Sequence, residues 1–331
     1  DPGTACYTAD VDCRDRFRST ALHNTATVDD RSQSTPAGPF HWSRTTDASV
    51  SRWRVNDAFD YFEGSHAGYE PVVHRRHVLA LHEDLLVVAD LIDGEGPHAA
   101  AVHWHVDPRW TARIVDRSVL FSGARRPKLF ATRGRIDLLH ADSESGLGWY
   151  SPAYGRVDPA TTVRVAHQGD APFWIITVFD WSAGEEVQSV ETVPVWAEAS
   201  ALVRSAGVRI ARTSSTDYLL IVEPHPNRAH ATWRIAEFET DARMLFLRTS
   251  GERQVSRIAL VDGSMVCSGG RHRLQLLLPH AVPDLHLDLG ADVRIAGPIA
   301  DAQLVVNGRE RVVEPRTQNP NPKPGTRNPE P

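Results

Sequence analysis

Apolar and polar residues alternate with a period of two along most of the chain, the spacing that puts successive side chains on opposite faces of a β-strand. Over 51–61, Trp53, Val55, Phe59 and Tyr61 fall on one face and Arg52, Arg54, Asn56 and Asp60 on the other. The runs 72–81 and 85–92 are separated by the turn-like His82-Glu83-Asp84 and predict a hairpin. In 101–106, Val102, Trp104 and Val106 share one face, which leaves His103 and His105 together on the other. Further short strands are expected at 118–121, 128–131, 135–139, 161–166, 173–179, 218–222, 244–247, 257–261, 273–278, 293–295 and 304–306. Turn signals such as Asp262-Gly263 and Asn307-Gly308 punctuate them. Helical periodicity is weak and confined to 185–198 and 231–239.

Many closely spaced strands without intervening helices predict an all-β fold, a large antiparallel β-sandwich rather than βαβ units. Ser182-Ala183-Gly184-Glu185-Glu186 interrupts the pattern and places a soft boundary near 190. The expected organisation is a first sandwich over 1–190 and a second β-rich portion over 191–313, either two stacked halves or one broad sandwich. Residues 314–331 carry six prolines and no large apolar side chain, so nothing there offsets the entropy of ordering; a disordered tail is expected.

Composition narrows the partners more than the fold. The 331 residues carry 41% hydrophobic and 24% charged side chains, ordinary for a globular chain. A net charge of −6 offers no global basic field to nucleic acid or an anionic membrane, and no apolar run reaches the length of a membrane span. The basic residues are nearly all Arg, with Lys only at 128 and 323. Arg forks suit carboxylates and sulfates, but a GC-rich coding bias explains the same excess. Three cysteines (Cys6, Cys13, Cys267) make no disulfide framework; a Cys6–Cys13 bridge is open, with no support from the sequence. The chain opens on Asp1-Pro2-Gly3-Thr4 without a Met or a leader pattern, as expected of a piece of a longer protein.

Polar residues of catalytic type concentrate in the first segment, around Asp1, Tyr7, Arg14, Arg16, His23 and Asn24. An Asp and a neutral His are natural zinc ligands, but two of them twenty-two residues apart are equally a turn cap and a loop histidine. The ordered wording adds to this. Asp1-Pro2-Gly3-Thr4 with Tyr7, Arg16-Phe17-Arg18-Ser19-Thr20, His23-Asn24-Thr25, Val28-Asp29 and Gln33-Ser34 are followed by Ser65-His66-Ala67-Gly68-Tyr69 and Val73-His74-Arg75-Arg76. Val88-Ala89-Asp90, His103-Trp104-His105 ahead of Pro108, and Gly148-Trp149-Tyr150-Ser151-Pro152-Ala153-Tyr154-Gly155 continue the series. In sequence and order these motifs resemble the C-terminal half of the heparinase II/III-like polysaccharide lyases. The resemblance covers roughly 1–180; 181–310 agrees only in β character.

That resemblance implies an N-terminal α/α toroid preceding supersandwich-like β layers, with an acidic polysaccharide bound in the cleft between them. It implies a structural zinc held by Asp1 and by His23, together with histidines upstream of the present chain. The implied reaction is β-elimination in a uronic-acid polymer: a base takes the C5 proton, an acid protonates the departing oxygen at C4, and donors neutralise the developing enolate. The principal catalytic residues match the toroid, so this chain by itself is expected to be inactive. Tyr7 is the candidate this chain adds to catalysis, or else an amphipathic anchor. His66, Tyr69, His103 and His105 are candidate substrate contacts, or turn and strand-face residues. His74-Arg75-Arg76 places Arg75 and Arg76 on opposite faces, so at most one meets a given ligand. The alternative to a lyase is a non-catalytic carbohydrate-binding or structural sandwich. Export to the periplasm or medium is expected of a degradative lyase.

Overall fold

Two long strands, Leu85–Val106 and Thr161–Asp180, organise the first half of the molecule. The structure, a computed structural model, describes residues 2–311 except 83, 123–126, 198–199, 203, 224–231, 252–253, 270–273, 290–293, 297–301 and 307. The expected 314–331 tail lies outside the described residues. The two strands pair antiparallel from Val106↔Thr161 to Leu85↔Asp180, with one irregularity between Ala171 and Phe173. Each changes its other neighbour along the way. Leu85 to Asp93 pairs with Val72–Leu81, whereas Ala100 to Val102 pairs with Ala26–Val28. Likewise Thr161 to Ala166 pairs with Arg135–His140, and Thr177 to Asp180 with Lys128–Ala131.

This sheet bends back over itself. Trp104 lies opposite Val163, and Phe179 is sixteen positions further along the same strand, which would separate the two rings by about 50 Å in a flat sheet. Their ring centroids are 5.0 Å apart, in an edge-to-face contact. The apolar face of the distal ends (Ala100, Val102, Trp104, Val163, Val165) therefore shares one core with that of the proximal ends (Val88, Ile92, Phe173, Ile175). The opposite face of the proximal part, with Leu79, Val87, Leu91, Trp174 and Ile176, packs on a second antiparallel sheet through Val208, Leu219, Phe246 and Ala259. That second sheet runs from Val187–Thr192 through Val255–Ser268, which pairs in turn with Gln275–Asp288, and it encloses a third core with Leu245, Leu260, Leu285 and Leu304. The result is an all-β stack of layers, as the alternation predicts.

Three local expectations are corrected. The stretch 51–61 is not one strand: Ala48–Val55 and Phe59–Tyr69 form a hairpin whose turn Asn56 closes, its Oδ1 accepting from the amides of Ala58 and Phe59 at 2.9 and 3.0 Å. Phe59 and Tyr61 are buried, whereas Trp53 and Val55 are exposed, because Arg52 and Arg54 turn towards the second sheet and bond Asp262. The weak helical signal at 185–198 belongs to the strands Val187–Thr192 and Val195–Ala197, and that at 231–239 to Trp233–Ile235 and the start of Phe238–Thr240. A helix does form at Val11–Phe17, capped by Asp10, whose side chain accepts from the Cys13 amide at 2.9 Å.

Candidate functional site

The segment that precedes the first strand is laid against the distal part of the bent sheet. Ser151 donates its amide to the Pro2 carbonyl at 2.6 Å, and Gly155 to that of Ala5 at 2.7 Å. Gly3, at φ +81, allows this approach: a Cβ there would stand 2.4 Å from the Ser151 carbonyl oxygen. The hairpin of Trp149–Ala153 and Arg156–Pro159 thus becomes the support of the chain's first residues. Arg18 extends the same surface, its guanidinium 4.0 Å from the Trp42 ring centroid and bonded to the Gly38 carbonyl at 2.5 Å.

Three aromatic rings from three separate segments meet on the outside of this assembly. Tyr7 stacks on Phe40, with centroids 5.4 Å apart and planes inclined by 29°, and on Tyr154, at 5.9 Å and 18°. The rings stay open to solvent, Tyr7 at 42%, Tyr154 at 58% and Phe40 at 82% exposure. Around the same hairpin, Trp149 and Tyr150 line a cavity of about 470 Å³ with Pro2, His105, Asp107 and Arg109. Arg109 donates to Asp107 at 2.5 Å and holds that carboxyl at about 2. Phe40, Asp107 and Arg109 escape the sequence reading, since none stands in a motif or a strand pattern.

His105 and His103 share a face, as their spacing predicts, but the first segment covers it. Gly148 donates its amide to Thr162 Oγ1 at 3.0 Å, and the Thr162 hydroxyl lies 3.1 Å from His105 Nδ1. His105 Nε2 reaches the Ala21 carbonyl at 3.1 Å, and a carbonyl accepts only from an N–H, so Nε2 carries the proton and Nδ1 accepts from Thr162. Burial pushes His105 down to about 4, so it is a neutral strut between the sheet and the 20–23 turn. His103 is 3% exposed, beside the Thr27 hydroxyl at 3.1 Å, and burial takes it to about 3. Its Nδ1 has no hydrogen-bond partner among the described residues.

His23 follows the turn Thr20–Leu22 and is half-buried, with desolvation lowering its pKa. The His23 backbone lies against His105, and Pro2 lines the same cavity as His105, so the chain's start and His23 converge on one spot. Asp1 lies outside the described residues. A neutral imidazole at His23 has the chemistry of a zinc ligand, so the donor fits as far as the described residues go. A different trio, Glu63, His77 and Glu223, has ligand-type atoms within 4.8 Å of one another. There Arg243 already bonds both carboxylates, at 2.7 Å to Glu63 and 3.2 Å to Glu223, so the trio is a buried charge network between the two sheets.

His66 and Tyr69 lie away from the cavity. The Tyr69 ring is fully buried and its hydroxyl donates to the Ala26 carbonyl at 2.7 Å, making it part of the core. His66 heads a relay: Gly68 donates to its Nδ1 at 3.2 Å, its Nε2 lies 3.1 Å from His74 Nδ1, and His74 Nε2 lies 2.6 Å from Asp90. Arg76 closes the relay with two bonds to Asp90, at 2.7 and 3.1 Å, and one to the Asn24 carbonyl at 2.5 Å. Burial alone would raise Asp90; Arg76 and His74 instead bring it to about 2. Arg75 points the other way, to Asp93 at 3.4 Å, as alternation requires.

Comparison with known proteins places the chain by family and by fold. The family model described as heparinase II/III-like, C-terminal, matches residues 1–242. Among solved structures, the heparan sulfate lyase HepC from Pedobacter heparinus is similar, at 15% identity and a TM-score of 0.51, over 68% of this chain and 35% of that one. A heparinase III gene product is similar at 16% identity and a TM-score of 0.52, over 67% of this chain and 33% of that one. The chain therefore spans about a third of the length of these structures. No curated protein sequence matches it.

Proposed function

Because the chain belongs to the heparinase II/III-like family, in the part its C-terminal model describes, we propose that it forms the β-wall of a lyase that cleaves a uronic-acid polysaccharide by β-elimination. The observation that carries this reading is the exposed row Phe40–Tyr7–Tyr154, continuous through one hairpin with the cavity of Trp149, Tyr150 and Arg109. Exposed aromatic rings offer π faces to the CH-rich faces of a sugar, and Arg109, although paired with Asp107, keeps its outer guanidinium edge open beside the cavity for an anionic group. The Tyr7 phenol sits at the rim of this wall, where it would meet a sugar held against a facing domain.

The remaining polar groups of this face position rather than react. His105 props the 20–23 turn, His103 braces Thr27, and the His66–His74–Asp90–Arg76 relay ties Asn24 to the sheet. Zinc, when bound through Asp1 and His23 with ligands from elsewhere in the longer protein, would fasten the first residues to that turn and supply no chemistry to the sugar. General base and enolate-neutralising donors belong to a facing α/α toroid in this proposal.

The test is the longer protein incubated with heparin, heparan sulfate, alginate and hyaluronan, followed by the ultraviolet absorbance of an unsaturated uronate. Activity is expected on at least one, and none from this chain alone. Silence on every acidic glycan, with zinc supplied, refutes the lyase; retention of the chain on an acidic-glycan column would then leave a non-catalytic binding wall.

A further inference from the structure

The fold brings two of the three thiols together beneath the aromatic row. Cys6 is 6% exposed and donates its thiol to the Asp10 carbonyl at 3.0 Å. Asp10 also caps the Val11–Phe17 helix, and its carboxylate receives the amide of Cys13, the third residue of that helix. Asp10 thus ties both cysteines to one point, the Cys6 thiol through its carbonyl and the Cys13 backbone through its carboxylate. Arg16 Nη2 stands 4.0 Å from Cys13 Sγ, but burial and the neighbouring Cys6 outweigh this cation and hold the half-buried Cys13 thiol above its ordinary pKa, so the thiolate is a minor species that oxidation draws on. Cys267 is remote, on the strand Val255–Ser268 of the second sheet.

We propose that Cys6 and Cys13 form an intramolecular disulfide when a small disulfide oxidant is present, a redox-dependent clamp on the segment that carries Tyr7. The Cys13 thiolate attacks one sulfur of the oxidant and expels a small thiolate, giving a mixed disulfide. The Cys6 sulfur, losing its proton to solvent, attacks the Cys13 sulfur and expels the second small thiolate. Two protein thiols are oxidised, one small disulfide is reduced to two thiols, and two protons are redistributed. Burial shields Cys6, so oxidant and reductant both enter through Cys13. The bridge joins the loop of Tyr7 to the helix, while the Pro2 and Ala5 carbonyls already hold the preceding residues to the hairpin. Oxidation therefore holds the Tyr7 ring in its stack. Formation of the bridge is independent of what the aromatic row binds.

The experiment equilibrates the purified protein across a series of oxidised-to-reduced glutathione ratios, then alkylates, digests with trypsin and weighs the peptide 1–14, which contains both cysteines. The expected result is a peptide lighter by two hydrogens, with Cys267 alone alkylated. In the folded protein half-conversion should occur at a ratio at least about tenfold lower than in urea, because the fold and not the short loop supplies the proximity. Cys13→Ser should abolish the shift and Cys267→Ser should leave it unchanged. Full alkylation of Cys6 and Cys13 at every ratio overturns the proposal. So does accumulation of glutathione adducts without ring closure, or the same midpoint in folded and unfolded protein.

Discussion

Replacing Arg243 by Met tests how the two sheets are held in register. Arg243 donates Nε to Glu63 Oε2 at 2.9 Å, Nη2 to Glu63 Oε1 at 2.7 Å and Nη2 to Glu223 at 3.2 Å. All three side chains are under a tenth exposed, so the loss cannot be made up by water. Arg52 still reaches Glu63 at 3.1 Å and His77 still lies 3.0 Å from Glu223, so the variant strands part of the negative charge rather than all of it. Breaking a buried pair from one side costs about 3–5 kcal/mol, and the remaining partners place this case near the lower end. The sign with pH is specific. Burial alone would raise both carboxyls; Arg243 and His77 more than reverse it, and both fall below the ordinary range. A lowered carboxylate stabilises the folded state above its unfolded pKa of about 4.3 and loses that contribution as pH drops through the folded value. Without Arg243 burial acts with far less opposition, so the penalty should be full near neutrality and fade as the carboxyls take up protons. Urea unfolding of both proteins at about pH 7 and about pH 4.5 measures this, with the deficit expected to shrink on acidification. An equal deficit at both pH values refutes the reasoning. Arg209→Met, which breaks the solvent-exposed pair with Glu191, is the control and should cost less than about 1 kcal/mol.

Phe246→Ala opens the core between the sheets, where the ring is fully buried, and should lower unfolding free energy by about 3–5 kcal/mol in the same urea assay. Gly148→Ala should destabilise by about 1–3 kcal/mol, because φ is +79 and the new Cβ would stand 2.4 Å from the Leu139 carbonyl oxygen; faster amide exchange in the Trp149–Ala153 hairpin would report it. Tyr7→Ala and Tyr154→Ala should each weaken binding of whichever acidic oligosaccharide the unaltered protein retains by about three- to tenfold in calorimetry, with the thermal midpoint nearly unchanged.

Much of the strand pattern was legible because alternation is a local property. The hairpin of Val72–Leu81 and the strand opening at Leu85 stand where the apolar runs and the His82-Glu83-Asp84 turn predict. The shared face of His103 and His105 follows from spacing alone. The seven-residue helix was not legible, since Val11–Phe17 buries only Arg14 and Phe17 and carries too few apolar positions to show a period. The segment 185–198 reads weakly as helix because Glu and Ala favour it, yet edge pairing with Ala206–Arg212 overrides that preference. The candidate site was legible as motifs and not as a surface. Tyr7 and the Gly148–Gly155 stretch stand in the sequence, but nothing in it says that Phe40 completes their stack or that Tyr69 turns inward.

By itself the chain's order of residues determined that it forms antiparallel strands, which side chains share each strand's face, and which family's motifs it carries. The tertiary structure alone decided what each face meets. In a stack of layers the middle sheet is covered on both sides, so alternation cannot say which set of residues goes into a core and which into an ion network. Arg52, Glu63 and His77 occupy positions that would be solvent-facing in a single sandwich, and the second sheet makes Glu63 and His77 buried partners of Arg243 and Glu223 and Arg52 a half-buried partner of Asp262. Trp104 touches Phe179 only because the long strands bend over their own sheet, and Tyr7 meets Phe40 and Tyr154 only because three loops end at one edge. Such contacts depend on the summed geometry of every strand between the residues, a quantity that no local pattern contains.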